Sequence, residues 1–161
     1  MRQLAVALAC VAVSSASTPR PIFLVDGHLS SLGWRGRLVA IQRTEARTPR
    51  AALLALVRGP TAAERGHGIR SALPAGTRLV AISVSRGTAR VSFRGGSSRA
   101  WQTGGVYATA QVVYTLTARP RIKRVWMRVG GRRCCVFDHS GRPYAHALTR
   151  AVFAAWQGEP R

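Results

Sequence analysis

A chain of 161 residues with 47% hydrophobic content is long enough to bury a conventional core as one domain, so it needs neither a structural metal nor a disulfide framework to hold it together. Lysine and arginine outnumber aspartate and glutamate 25 to 5, for a formal net charge of +20 at pH 7, and Lys123 is the only lysine. Arginine is the better donor to phosphates, carboxylates and stacked rings, so the excess points to an anionic partner unless it reflects only a coding bias toward Arg, Ala, Gly and Val.

The N-terminus has the layout of a secretory signal peptide over residues 1–16. Arg2 supplies a charge, residues 4–13 an apolar run, and Ser14, Ser15 and Ala16 a small-residue cleavage site. The apolar run falls short of the roughly 20 residues that a membrane-spanning helix needs. Cys10 offers a rival reading as the acylated cysteine of a bacterial lipoprotein, although only residues 4–9 form the apolar run before it. Either reading places the remainder outside the cytoplasm, secreted or membrane-attached. There so basic a domain is drawn to anionic lipid, wall polymer or nucleic acid in a salt-dependent way. The other cysteines, Cys134 and Cys135, are adjacent and point to opposite faces of a strand, so they do not pair without a strained turn. They also lack the spacing of a redox or zinc site.

Residues 22–25 read as an apolar strand closed by the turn dipeptide Asp26-Gly27, residues 28–36 as a glycine- and serine-rich loop, and residues 38–42 as a second strand. Thr48 caps a helix with Pro49 at its first position; Leu53, Leu56 and Val57, widened by Leu54, form its apolar stripe, and Gly59-Pro60 stops it. A turn-rich connector follows, in which Glu64 caps or pairs with an arginine and Pro74 fixes a backbone angle. The period then switches to two. Val80, Ile82 and Val84 alternate with polar or small residues, Arg86-Gly87 makes a tight turn, and Ala89, Val91 and Phe93 return as the second arm of a hairpin whose polar face carries Arg90 and Arg94.

Residues 94–105, with Trp101, read as a mobile loop, and residues 106–118 as a helix burying Val106, Ala110, Val113 and Thr117, widened by Tyr114 and Leu116. Its end falls before Pro120. Residues 122–129 form a strand with Val125, Met127 and Val129 inward and Arg124, Trp126 and Arg128 outward. Gly130-Gly131 turns the chain, residues 134–137 make a short strand, and residues 147–156 a last helix with Leu148, Ala151, Val152 and Ala155 on one side. Helices that bury one stripe each must cover one face of the sheet, which leaves the other open to solvent or a partner: an α+β fold.

Several ordered signatures carry a resemblance. Before the hairpin stand Ala52-Leu53-Leu54, Gly59-Pro60-Thr61, Glu64, Gly68-Ile69, Ser71-Ala72-Leu73-Pro74, Gly76-Thr77 and Leu79; after it come Ala110-Gln111-Val112-Val113-Tyr114-Thr115-Leu116 and Ile122-Lys123-Arg124-Val125, through to Gly130-Gly131. In this order they resemble the GerMN domain family, a module of spore germination proteins and bacterial lipoproteins. The match is best over residues 51–131 of a domain spanning 20–157. The resemblance implies a ring-building-motif-like βαββαβ layer, a mainly antiparallel sheet with helices on one face, in a secreted or envelope-attached protein of sporulation, germination or the cell envelope. It implies no catalytic site. The chain departs from the expected pattern in carrying Arg90, Arg94 and Arg99 where acidic or neutral residues would be unsurprising, and in its paired cysteines.

Chemistry-bearing motifs are few. Gly66-His67-Gly68 lacks the downstream glycine and preceding strand of a phosphate-cradling loop, and His28, His67, His139 and His146 stand beside ordinary serines with no nucleophile elbow. Asp138, His139 and His146 are the most metal-like group, though three such residues near a turn are more ordinarily solvated. No enzyme activity, cofactor, metal or small-molecule substrate is therefore expected. The sharper candidate is the open sheet face, where Arg90, Arg94, Arg124, Trp126 and Arg128 project together if their strands pair. Two kinds of partner suit it. One is the protein itself or another envelope protein, with Trp126 as anchor and the arginines as rim. The other is an anionic polymer, nucleic acid or membrane surface held by charge and stacking.

Overall fold

The computed structural model describes residues 19–30, 33–133 and 144–157. The leader, Cys10, Cys134, Cys135, Asp138, His139 and the strand expected over residues 134–137 lie outside the described residues. Strands β1 (Arg20–Ser30) and β2 (Gly33–Arg43) form a long antiparallel hairpin, and the two-residue β3 (Ile69–Arg70) pairs with the other edge of β1. A second sheet has the order β4 (Arg78–Ser85), β5 (Thr88–Arg94), β6 (Arg124–Val129) and β7 (Arg132–Arg133). Helices α1 (Pro49–Arg58) and α3 (Ser98–Thr117) pack on each other and touch strands of both sheets; α2 (Ala62–Gly66) and α4 (Ala151–Gln157) are short. The α+β class and the mainly antiparallel pairing are as expected, with the strands divided between two sheets. Only β5 and β6 run parallel among these strands, because α3 is the crossover between them.

Local signals placed α1 and the β4–β5 turn correctly. The Thr48 side-chain oxygen accepts from the Ala51 N–H at 3.1 Å, and Gly59 ends the helix at φ 76°. Arg86 and Gly87 both take positive φ, the geometry a two-residue hairpin turn requires. Leu54, however, is 42% exposed, outside the stripe formed by Leu53 and Leu56. Val80 is 52% exposed for a different reason. Leu79 opposes Phe93 while Ala81 opposes Ser92, so Val80 is the extra residue of a β-bulge and leaves the buried face. The bulge also blunts the free edge that β4 presents.

Two stretches read as loops are regular structure. Residues 28–30 and 33–36 belong to the arms of β1 and β2, where Gly27 opposes Gly36. A Cβ on Gly36 would lie 2.3 Å from the Asp26 carbonyl oxygen, so these glycines serve close approach of two strands and not a turn. The expected loop over residues 94–105 gives way to α3 from Ser98 onward. Ser97 accepts from the Ala100 N–H at 3.1 Å, and Trp101, 3% exposed, donates its indole N–H to the Gly95 carbonyl at 3.0 Å while facing Phe93. Leu148 forms an antiparallel bridge with Val125, so α4 starts at Ala151.

Helix α3 is buried nearly all round. Residues 108–116 are inaccessible on every side, far wider than one apolar stripe, and they include Thr109, Gln111 and Thr115. Two of these polar side chains complete a strand. β3 covers the edge of β1 only at Val25 and Asp26, which leaves the Phe23 backbone groups uncovered on that side. The Phe23 N–H donates to Thr115 Oγ1 at 2.9 Å, and its carbonyl accepts from Gln111 Nε2 at 3.0 Å. Gln111 Oε1 in turn accepts from the Ala72 N–H at 2.6 Å. One side chain thus satisfies two buried backbone groups from distant parts of the chain. Gln111→Leu, nearly the same size, should lower the unfolding free energy by about 2–5 kcal/mol in urea titration because both groups lose their partner, whereas exposed Gln102→Ala should change it by under about 0.5 kcal/mol.

Candidate functional site

The register of the second sheet decides what its outer face presents. Arg90 lies beside Trp126, Ser92 beside Arg128 and Thr88 beside Arg124 in the β5–β6 pair, and Arg128 opposes Arg133 in the β6–β7 pair. Neighbours in such pairs share a face. Ala89, Val91, Phe93, Val125 and Met127 are buried beneath, so the intervening arginines and Trp126 point out. A hollow of about 510 Å³ opens there, lined by Arg90, Val91, Ser92, Trp126, Arg128 and Arg133.

Three of the five residues expected on this face therefore line one hollow: Arg90, Trp126 and Arg128. Arg94 sits opposite Arg78 at the far end of β5, and Arg124 beside Thr88 at the near end, both exposed and neither lining it. Arg133 was not expected. Its guanidinium lies 4.8 Å from the centre of the Trp126 ring, a cation–π stack that the Gly130-Gly131 turn makes possible by returning the chain along β6. Counting back from that turn, the pairing of Arg133 with Arg128 was available from the sequence.

The electrostatics of the face are one-sided. Among the described residues, every carboxylate is committed elsewhere: Asp26 to Arg37 at 3.2 Å, Glu45 to Arg58 at 3.1 Å and Glu64 to Arg43 at 2.6 Å. None pairs with Arg90, Arg94, Arg124, Arg128 or Arg133. Like charges facing each other across a strand pair are unfavourable, and Arg128 against Arg133 is such a pair. Other arginines are structural. Arg150 lies 4.8 Å from the Tyr114 ring centre and donates to Thr117 Oγ1 at 2.8 Å, tying the C-terminal segment to the end of α3.

Glu64, the acid of the connector, is also structural. Its carboxylate takes a two-pronged contact from Arg43 at 2.7 and 2.6 Å and accepts from the Thr61 N–H at 2.8 Å, while the Thr61 hydroxyl accepts from the Glu64 N–H at 3.2 Å. This capping box starts α2 and binds it to the end of β2. The Arg43 hydrogen bonds, with help from the Thr61 N–H, hold the Glu64 carboxyl at about 2, below its ordinary 4.5. His67 contacts the Ala63 carbonyl through Nδ1 at 2.9 Å, and His146 meets Tyr144 edge-on.

A small α+β module with a bare basic face is the class these observations define. Residues 23–134 match the Germane family, described as sporulation and spore germination, and the chain belongs to that family. Two solved structures share the fold. The first GerMN domain of the sporulation protein GerM from Bacillus subtilis is 22% identical with a TM-score of 0.57, over 83% of this chain and 98% of that one. The tandem GerMN domains of the same protein are 18% identical with a TM-score of 0.55, over 81% of this chain and 45% of that one. The chain thus spans less than half of the tandem structure. No curated protein matches it.

The Glu64 contacts carry a pH signature. A carboxyl whose folded value is depressed contributes stability that is present above its unfolded value and lost as pH falls toward the folded one. Glu64→Gln should therefore be less stable than the parent at pH 7, and the gap in urea midpoint should close as pH drops from about 4.5 to about 2.

Proposed function

We propose that this Germane-family chain is a non-catalytic interaction module of the bacterial envelope, linked to sporulation or germination, that docks an acidic surface of another protein on the outer face of its second sheet. The observation that carries this reading is the placing of half-buried Trp126 among Arg90, Arg128 and Arg133 with no carboxylate beside them among the described residues. A tryptophan in a hollow ringed by arginines is the composition of an interface hot spot, where the ring supplies buried area and the guanidinium groups supply directed hydrogen bonds. The family description supports the link to sporulation, and the leader-like residues 1–16 support an extracytoplasmic location. Among the described residues no helix is long and apolar enough to cross a membrane.

The same charges argue for a partner other than a second copy. Two such faces brought together would set Arg90, Arg128 and Arg133 against their own counterparts with no acid of the described residues between them. The described carboxylates elsewhere would have to leave Arg37, Arg43 or Arg58 to serve. A second reading, a linear polyanion laid along the sheet, draws support from the continuation of bare arginines past the hollow at Arg78, Arg94 and Arg124. Such binding would weaken steeply with salt through counterion release, whereas a packed protein interface would weaken little.

Light scattering coupled to size-exclusion chromatography tests the partner class. The expected result is a monomer at both low and high salt. A defined oligomer that survives high salt and dissociates on Trp126→Ala would replace the acidic partner with self-assembly through this face.

A further inference from the structure

The link from α3 to β6, the β4–β5 turn, the start of β1 and the lead into α1 border an open cleft of about 830 Å³. Six basic side chains line it, Arg20, Arg47, Arg86, Arg119, Arg121 and Lys123, and among the described residues no carboxylate does. Arg119, Arg121 and Lys123 come from one short basic stretch, and the fold brings Arg20, Arg47 and Arg86 to it from well-separated parts of the chain. Gathering six like charges costs free energy that open solvent would have spared.

Arg119 is the informative member. It is 4% exposed. Its terminal nitrogens donate to the carbonyl oxygens of Thr115 and Ala46, while its Nε–H, buried too, has no partner. Two neutral carbonyls satisfy hydrogen bonds without cancelling the charge, and a buried ion without a counter-ion is costly. Burial, with Arg20 adding to it, draws the Arg119 guanidinium down from the ordinary arginine range to about 10, the direction expected where positive charge lacks compensation.

We infer that this cleft is a binding site for a ligand carrying two or more phosphate groups. Arginine forks match phosphate oxygens in pairs, and donors arriving from several elements suit a multivalent oxyanion better than one carboxylate. The cleft has room for more than a single phosphate. It shares no lining residue with the hollow around Trp126, so the inference stands apart from the sheet-face reading.

The test is calorimetric titration of the purified chain with inorganic tripolyphosphate at near-physiological salt, alongside the rim variant Arg121→Ala/Lys123→Ala and the sheet-face variant Arg90→Ala/Arg128→Ala. Both pairs are exposed, so neither variant should compromise folding. The expected result is saturable binding that the rim variant weakens at least tenfold and the sheet-face variant leaves within about twofold. Tripolyphosphate should also raise Tm by mass action, and should raise it less in Arg119→Leu. No binding, or an equal loss in both double variants, would overturn the site, the latter reducing it to diffuse charge attraction. Co-sedimentation with phosphatidylglycerol vesicles then separates sources. Sedimentation lost in the rim variant identifies lipid headgroups, and vesicles indifferent to that variant, with the tripolyphosphate effect intact, identify a soluble or polymeric phosphate.

Discussion

The contact on which the rest depends is the clasp between α3 and the bare edge of β1. Phe23 turns its N–H and carbonyl away from β2, and β3 ends too soon to meet them, so Thr115 and Gln111 take the place of a strand. Backbone partners offset the cost of burying Gln111 and Thr115 in the middle of a helix. Gln111 reaches on to Ala72, which also fixes the connector leading into β4. The helix is therefore registered against the first sheet by directed bonds as well as by apolar packing.

That registration reaches the second sheet. Phe93 meets Trp101 at the start of α3, and α3 delivers the chain to β6 parallel to β5. Parallel pairing at this register sets Arg90 beside Trp126 and Ser92 beside Arg128, and the short return of β7 lays Arg133 over the ring. The charges are segregated along the same division. The described carboxylates pair with arginines on the β1–β2 and α1–α2 side, where they cap or tether elements, and among the described residues every charged group on the outer face of the second sheet is a cation. A face kept this basic without local compensation does nothing for the fold, which is the physical reason to look there for binding.

Much of the fold was legible because its signals are local. The alternation of Ala89, Val91 and Phe93 against Arg90, Ser92 and Arg94 survives intact, as does the capping of α1 at Thr48, and with it the outward aim of Trp126 and Arg128. Two of the failures share a cause: glycine has two uses, and the commoner one misleads. Gly27 and Gly36 signal a turn in isolation, yet here they let two backbones approach. Gly104 and Gly105 suggest a loop, yet they lie buried inside α3, whose helical state is set by packing against its neighbours. The bulge at Val80 breaks a perfect alternation with no compositional mark. The basic cleft around Arg119 was invisible because Arg20, Arg47 and Arg86 have no sequence relation to it; only the closed fold brings them together.

The central claim, that the face around Trp126 receives an acidic protein surface, is tested most directly by the indole N–H resonance of Trp126, assigned through Trp126→Phe and followed as an acidic peptide is titrated in. The account predicts that this resonance moves progressively while that of buried Trp101 stays in place, and that Arg90→Ala/Arg128→Ala abolishes the movement. A Trp126 resonance that stays fixed while the peptide binds elsewhere on the molecule would contradict it.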